Sequence, residues 1–172
     1  MDVEKQAVRL HVYDLSMGLA AQVSESVLGK RVEAVYHTGV VVFGREFYYG
    51  SGSGIQAGAP ASTSYGSPIQ VMDMGHTEID RTILDELLQD LQEQFHGSKY
   101  HLLYNNCNHF SQELINFLVG KDIPKHILNL PQEIMSTPTG SFFANMISNI
   151  VHNQQQAIEN PTVKDKEEET QA

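Results

Sequence analysis

The apolar pattern of this chain changes near its middle, from the alternation typical of β-strands to the spacing typical of helices. Val8–Leu15 alternates apolar and polar residues, and Val32–Phe43 is a longer run rich in Val. Apolar residues then recur every three or four positions from Ile83 to Phe95 and again from Phe110 to Leu118. Because these two spacings are those of one strand face and one helix face, strands are predicted first and helices second. That order along the chain indicates an α+β fold.

Shorter elements are predicted from local signals. Ser24–Leu28 is predicted as a short helix that ends at a glycine, and Gly44-Arg45-Glu46 as a hairpin turn into Phe47-Tyr48-Tyr49. Gly50–Pro68 contains few large apolar residues and many Gly, Ser and Ala, so it is predicted as a long loop. Ile69–Met74 is predicted as another strand.

Length and composition predict one domain followed by a polar tail. The chain has 172 residues, and 41% of them are hydrophobic, which is enough to bury one substantial core. After Asn153 the sequence is rich in Gln, Glu and Lys, and it offers too little apolar area to offset the entropy lost on ordering. We therefore predict a domain at 1–152 and a disordered acidic tail at 153–172.

Charge and cysteine content narrow the class of protein. The net charge is −10 and no Lys or Arg cluster could neutralise phosphates, so nucleic acid is not an expected partner and anionic membranes are disfavoured. One cysteine permits no intramolecular disulfide, and the first residues lack the layout of a secretory signal. No apolar run approaches the roughly 18 residues that span a bilayer. We expect a soluble protein of the cytoplasm and nucleus.

The single cysteine, Cys107, lies directly before the second long predicted helix. Asn105, Asn106 or Asn108 could cap this helix, because their short side chains accept from free N–H groups in the first turn. A thiol in the first turn feels the positive end of the helix dipole, which favours the reactive thiolate. The alternative is a buried, inert cysteine that acts as a small core hydrophobe, and this segment by itself favours the alternative.

A cysteine nucleophile needs a base, and the chain contains eight histidines. His109 follows Cys107 by two positions on a helix, so it points to a different face. His101 is close in sequence, whereas His37 interrupts an apolar strand, where a polar group costs free energy unless it has a partner or a task. Gly39 shares the face of His37 and leaves space beside the imidazole. Spacing alone does not choose between His37 and His101.

Other kinds of site are disfavoured by their spacing. His101, Cys107 and His109 lack the paired arrangement of structural zinc ligands, so no metal is predicted. Gly50-Ser51-Gly52-Ser53-Gly54 lacks the Lys and Ser or Thr that complete a phosphate-binding loop, so no nucleotide or other cofactor is predicted. The leucines of Ile83–Leu91 have the spacing of a nuclear export signal, but a core-facing stripe is the favoured interpretation.

Three blocks of sequence occur together in a recognisable order. They are His37-Thr38-Gly39-Val40-Val41-Val42 with Glu46-Phe47-Tyr48-Tyr49-Gly50-Ser51-Gly52, then Asn106-Cys107-Asn108-His109-Phe110-Ser111, and then Leu130-Pro131-Gln132-Glu133-Ile134 with Thr137-Pro138-Thr139-Gly140. Together with Val12-Tyr13-Asp14-Leu15 they resemble the PPPDE family of papain-like cysteine peptidases, in particular its shorter, desumoylating type. The similarity extends over residues 7–145, nearly all of the predicted domain.

The resemblance implies a circularly permuted papain-like fold, with an antiparallel sheet packed on helices and the histidine before the cysteine. It makes Cys107 the nucleophile and His37 its catalytic partner, and the family requires no third orienting residue. A His37 imidazolium beside Cys107 would lower the pKa of the thiol and later protonate the leaving amine.

The implied reaction is removal of SUMO from lysines of target proteins through a thioester acyl-enzyme. Candidate donors to the oxyanion are the backbone N–H groups of Cys107 and Asn108, assisted by the side chain of Asn106 or Asn108. A narrow groove for the glycine-ended tail of the modifier would be lined by three glycines, Gly50, Gly52 and Gly54, although turn formation alone also explains them.

Two other enzymatic functions, one non-catalytic function and a homodimer are also considered. A deubiquitinase, with ubiquitin as partner, or a protein S-acyl thioesterase would use the same pair, and a non-catalytic module that binds a modifier or client is the alternative from another class. The acidic charge argues against an acidic modifier such as SUMO unless the contact face is neutral or basic. A homodimer is also implied, and the crowding of Phe47, Tyr48 and Tyr49 in one hairpin gives a further, weak reason to expect an interface.

Overall fold

The computed structural model of the chain describes residues 4–159, which divide into two compact units. The first unit comprises the described residues up to Asp14 together with Val35–Glu133. The second comprises Leu15–Ala34 together with the described residues from Ile134 onward. The predicted boundary between domain and tail stays a prediction, and residues 160–172 of that tail lie outside the described residues.

The first unit is built on a five-stranded antiparallel sheet in the order β4-β3-β2-β1-β5. The strands are β1 (Gln6–Asp14), β2 (Tyr36–Val42), β3 (Arg45–Gly50), β4 (Gly54–Gly58) and β5 (Gln70–Thr77). The helices of this unit are α2 (Arg81–Leu91), α3 (Cys107–Val119) and α4 (Lys125–Leu128), with a 3-10 turn at Gly97–Lys99. The predicted α+β class, with an antiparallel sheet packed on helices, is confirmed, and the circular permutation stays a prediction.

The sheet has an apolar face and a polar, aromatic face. The apolar face packs on α2 and α3 and contributes the buried side chains Val8, Leu10, Val12, Val40, Val42, Phe47 and Tyr49. On the opposite face the strand register aligns Tyr13 with His37, His11 with Gly39, and Val41 with Glu46. Since side chains alternate across a strand, His37 points away from the main core.

The strand predictions hold apart from their ends and one predicted loop. β2 begins at Tyr36, later than the predicted Val32. The predicted long loop Gly50–Pro68 is wrong in part, because it contains β4, which pairs with β3. β4 lies at the edge of the sheet and is held by main-chain hydrogen bonds, so its Gly-rich sequence shows no apolar alternation.

The leucine stripe of α2 faces the core, as the favoured interpretation predicted. Leu84 is fully buried, and three further leucines of this stripe pack against the same cluster: Leu87, Leu88 and Leu91. Asp80 is the N-cap of the helix, since its Oδ1 accepts from the Ile83 N–H at 2.9 Å.

The aromatic hairpin does not supply the interface that its sequence suggested. Phe47 and Tyr49 are 2% and 0% exposed and belong to the core of the first unit. Tyr48 lies on the other face of the sheet, with its ring 5.9 Å from that of His37. Two of the three aromatic residues are therefore used within the protomer, so this reason for a dimer is wrong.

The second unit contains two helices that pack on each other, α1 (Leu19–Leu28) and α6 (Gly140–Glu159). α1 ends at Gly29, as predicted, and starts earlier than expected. Ser24 Oγ accepts from the Val32 N–H at 2.8 Å, and the Thr139 hydroxyl is hydrogen-bonded to the Val27 carbonyl. α5 (Leu130–Met135) crosses the division between the units. None of the helices in the described part of the chain is long and apolar enough to cross a membrane.

Candidate active site

Cys107 is the first residue of α3, and the residue before it fixes the start of that helix. Asn106 Oδ1 accepts from the N–H groups of Asn108 at 2.9 Å and His109 at 3.2 Å. His109 Nδ1 in turn accepts from the Asn106 N–H at 3.0 Å, which completes a capping box. Of the three asparagines that could cap this helix, Asn106 is therefore the one that does so. His109 is occupied by the cap and is not available as a base.

The start of α3 is joined to the strand that carries His37. Asn108 Nδ2 donates to the carbonyl oxygen of Tyr36 at 3.1 Å, and Asn108 Oδ1 lies 2.8 Å from the Thr38 hydroxyl. These two contacts are with the residues on either side of His37. A backbone N–H of Thr38 is also hydrogen-bonded to the Cys107 sulfur. The fold therefore holds Cys107 against the short segment that contains His37.

His101, the other candidate for the base, makes its contacts in a surface turn. His101 is exposed, its ring stacks on Tyr104 at 4.8 Å, and its Nδ1 accepts from the Leu103 N–H at 3.1 Å. His101 is thus occupied in a surface turn, whereas the two neighbours of His37 are hydrogen-bonded to the start of the cysteine helix. This contact favours His37 over His101, and the pairing of His37 with Cys107 stays a prediction.

Cys107 is covered and hydrogen-bonded. Cys107 is only 3% exposed. Its Sγ lies 3.9 Å from the Tyr100 hydroxyl, and the thiol donates to Asn108 Oδ1 at 3.7 Å. Burial raises the pKa of the Cys107 thiol to about 11, and hydrogen bonds from Tyr100 and nearby backbone N–H groups offset this only in part. The thiol is therefore protonated at neutral pH in this arrangement.

His37 is equally buried and also neutral. Burial lowers the pKa of its imidazole to about 3, and the residue is 2% exposed. The expectation that an imidazolium beside Cys107 lowers the thiol pKa is wrong for this covered arrangement, because desolvation disfavours both charges. The pair is a neutral thiol and a neutral imidazole.

Aromatic rings surround His37. The ring of Tyr65 is 3.9 Å from it, and the rings of Tyr13 and Tyr48 are 5.7 and 5.9 Å away. Burial raises the pKa of Tyr65 to about 12, and the charge of a Cys107 thiolate adds to the shift. Tyr65 thus lies against His37 and is near enough to Cys107 to be affected by its charge.

The remaining predicted site residues have structural roles. The side chains of Asn106 and Asn108 are used in the cap and in the contact with β2, and the Asn108 N–H is already bound to Asn106 Oδ1. An oxyanion role for these asparagines would require breaking bonds that position Cys107. Both asparagines thus help to position the start of α3, and their role at the oxyanion stays a prediction.

The three glycines proposed to line a groove lie where β3 turns into β4. The Gly52 N–H donates to the Gly97 carbonyl at 2.9 Å, and a Cβ on Gly97 would collide with the backbone of Gly52. Gly52 and Gly54 line an open cavity of about 240 Å³ together with Phe95. Close packing of two chain segments therefore accounts for glycine at 97, and the groove role of Gly50, Gly52 and Gly54 stays a prediction.

Three residues of the site were not predicted from the sequence. Tyr100 and Tyr65 reach Cys107 and His37 from other parts of the chain, and nothing in their local sequence distinguishes them from core tyrosines. The sequence predicts Glu46 as part of a turn, and this is wrong, because Glu46 lies in β3. It is a charged residue inside an aromatic strand, and it is completely buried on the His37 face of the sheet.

Comparisons with known proteins agree with the sequence resemblance. Residues 6–148 match the family described as "PPPDE putative peptidase domain". The chain is 44% identical over 144 residues to desumoylating isopeptidase 1 of Xenopus laevis, an alignment that covers 83% of this chain and 85% of that protein. The same figures hold for desumoylating isopeptidase 1 of Homo sapiens. The desumoylating isopeptidase 1 homolog of Caenorhabditis elegans is 35% identical over 142 residues, which cover 78% of this chain and 41% of that protein.

Proposed function

This chain belongs to the PPPDE peptidase family, and we propose that it is a cysteine isopeptidase that removes SUMO from lysines of target proteins. Its family and relatives make it a hydrolase of the peptidase or isopeptidase type. The names of relatives at 44% identity support SUMO conjugates as the substrate class. The observation that carries the assignment of the reacting pair is the double contact of Asn108 with both neighbours of His37.

The proposed first step uses His37 as a general base. Because the Cys107 thiol and the imidazole are both neutral when covered, His37 accepts the thiol proton as sulfur attacks the carbonyl that joins the modifier's last glycine to a lysine. Collapse of the tetrahedral intermediate breaks the carbon–nitrogen bond, and the His37 imidazolium protonates the departing lysine amine. Water, activated by neutral His37, then hydrolyses the thioester and regenerates the thiol.

Two groups are proposed to stabilise the oxyanion. The Cys107 N–H lies at the open end of α3, where the helix dipole favours negative charge. The Tyr100 hydroxyl is 3.9 Å from Sγ, and burial holds the pKa of this phenol well above its usual range, so it remains a neutral donor. Tyr100 replaces the Asn108 N–H of the sequence-based proposal, because that N–H is already bound by the helix cap.

The same pair would serve a deubiquitinase or a protein S-acyl thioesterase. The experiment is to react the protein with SUMO and with ubiquitin, each carrying a C-terminal electrophile, and with an acyl-thioester reporter. SUMO is expected to label Cys107 fastest, and Cys107→Ser is expected to be unlabelled. Faster labelling by ubiquitin, or turnover of the acyl reporter alone, would contradict the proposed substrate.

A non-catalytic module that binds a modifier is the alternative from another class. It predicts affinity for the modifier without a covalent adduct. Binding of SUMO that persists unchanged in Cys107→Ser, with no labelling of the wild-type protein, would favour it over the enzyme.

A further inference from the structure

One aromatic side chain covers the imidazole of His37. Tyr65 lies between β4 and β5, and its ring centroid is 3.9 Å from that of His37. With Tyr65 in this position Cys107 and His37 are 3% and 2% exposed. Attack on a carbonyl needs the sulfur and the carbon within about 3–3.5 Å, which a covered sulfur does not allow. A covering group must therefore move before a substrate reacts, and the ring that lies on His37 is Tyr65, in segment 59–68.

A buried carboxylate holds this segment in place. Glu46 is fully buried, its Oε1 accepts from the Tyr13 hydroxyl at 2.7 Å, and its Oε2 accepts from the Ala61 N–H at 2.8 Å. Gly39 makes room for it, because a Cβ there would collide with the Glu46 side chain. The space beside the imidazole that the sequence predicted is thus filled by Glu46. The hydrogen bond from Ala61 to the carboxylate therefore holds the start of segment 59–68, which carries Tyr65.

In the position where Glu46 holds it, segment 59–68 is strained, and buried polar atoms near it lack hydrogen bonds. Ala61 has φ of 58°, a conformation that residues with a Cβ rarely adopt. Among the described side chains near Glu46, two buried nitrogen atoms have no hydrogen-bond partner: His11 Nδ1 and His37 Nε2. His11 Nδ1 is 3.4 Å from Glu46 Oε2 but lacks hydrogen-bonding geometry. Unpaired buried polar groups cost free energy, so the closed position is one that the segment can leave.

We propose that Tyr65 is a gate over Cys107 and His37, and that Glu46 is the positioning residue that keeps this gate closed between turnovers. The identity of the substrate that opens the gate rests on the proposed function, whereas the closure itself does not. While the gate is closed, burial keeps the pKa of the thiol at about 11 and the pKa of the imidazole at about 3. Opening admits water to both groups and favours the reactive thiolate.

The gate is tested by alkylation, because Cys107 is the only cysteine and its labelling is read directly from the mass of the protein. Iodoacetamide and the bulkier N-phenylmaleimide are reacted with the wild type, Tyr65→Ala, Tyr65→Phe and Tyr104→Ala at neutral pH. Tyr104 is the matched control, since it is an exposed tyrosine on the turn before α3. Tyr65→Ala is expected to react at least about fivefold faster than wild type, with the larger gain for the maleimide. Tyr65→Phe and Tyr104→Ala are expected to stay within about twofold of wild type.

The role of Glu46 is tested in a double-mutant cycle. Glu46→Ala is expected to accelerate alkylation when Tyr65 is present and to add nothing in Tyr65→Ala, because it acts through the gate. If Glu46→Ala does not fold, Tyr13→Phe removes one of the two hydrogen bonds to the carboxylate and is used in the same cycle. Equal acceleration in both backgrounds would overturn the positioning role of Glu46.

Alkylation separates this proposal from the proposed function. A folded Tyr65→Ala that is alkylated at the wild-type rate would overturn the gate, even if the protein cleaves SUMO conjugates. Faster alkylation of Tyr65→Ala in a protein that leaves SUMO conjugates intact would support the gate and reject the substrate.

Discussion

Cys107 and His37 are single residues whose chemistry depends on what covers them. A helix N-terminus stabilises a nearby negative charge by typically 0.3–1 kcal/mol, or about 2 kcal/mol when partly buried. Full burial shifts a pKa by up to roughly 3–5 units in the opposite sense for a thiol. The second effect is larger here, so the thiol pKa is raised to about 11 although Cys107 lies in the first turn of α3. Local sequence predicts the dipole, whereas burial depends on tertiary packing.

The depressed pKa of His37 makes stability depend on pH. A histidine ordinarily titrates at 6.5, whereas buried His37 has a pKa of about 3, so below pH 6.5 the unfolded chain takes up a proton that the folded chain does not. Stability is therefore lost as pH falls from 6.5 towards 3. From pH 7.5 to 5.5 this one group should reduce the free energy of unfolding by about 1.4 kcal/mol.

Urea unfolding of the wild type, His37→Gln and His101→Gln at these two pH values measures that loss. The wild type and His101→Gln should lose more stability on acidification than His37→Gln, by about 1 kcal/mol. An equal loss in all three proteins would mean that His37 is not buried as a neutral imidazole.

Tyr100 is the residue through which the proposed oxyanion site can be tested with a change of one atom. Tyr100→Phe removes the hydroxyl that lies 3.9 Å from Sγ and leaves the ring in place. We expect kcat on a SUMO reporter to fall by about a hundredfold with little change in KM, because the bond forms mainly in the transition state. Tyr104→Phe is the control, and a kcat for Tyr100→Phe equal to that of Tyr104→Phe would remove Tyr100 from the mechanism.

At the scale of elements, the start of α3 and the strand β4 show what local sequence can predict. Helix capping uses residues within one turn, so the sequence predicts a cap among Asn105, Asn106 and Asn108, and the structure identifies it as Asn106. β4 depends on main-chain pairing with β3, and its residues Gly54-Ile55-Gln56-Ala57-Gly58 carry no apolar alternation. The sequence therefore predicts a loop at these residues.

The cap of α3 gives a prediction at this scale. Asn106→Ala removes acceptors for two N–H groups and should reduce the free energy of unfolding by about 1 kcal/mol. It should also lower the rate of Cys107 labelling by a SUMO electrophile, since the turn that carries the sulfur loosens. Asn116→Ala is the matched control on the exposed side of the same helix, and it should be neutral or slightly stabilising. Equal stability of the two variants, measured by urea unfolding, would show that the cap does not hold the site.

At the scale of the whole molecule, the candidate site combines residues that are far apart in sequence. The order of strands and helices could be predicted from periodicity, whereas the reacting pair rests on the resemblance and stays a prediction. Glu46 and Tyr13 are 33 positions apart and meet only because β3, β2 and β1 are neighbours in the sheet. Their contact, and the placing of Tyr65 over His37, follow from tertiary packing and carry no local signal.

A homodimer is the remaining prediction at this scale, and we propose it on the family resemblance alone. Phe47 and Tyr49 are buried within the protomer, so they are not part of the expected interface. Light scattering at micromolar concentration should give about twice the 19.2 kDa mass of the chain. A mass near that of one chain, unchanged on concentration, would contradict a stable dimer.

Turnover of a SUMO–lysine isopeptide reporter tests the central claim, that Cys107 and His37 form the reacting pair. The wild type should cleave the reporter, Cys107→Ser should show no turnover, and His37→Ala should lose at least about a hundredfold in rate. His101→Ala should stay within about twofold of the wild type, and Cys107→Ser should remain within about 1 kcal/mol of its stability. Full turnover by folded Cys107→Ser, or a larger loss in His101→Ala than in His37→Ala, would contradict the account.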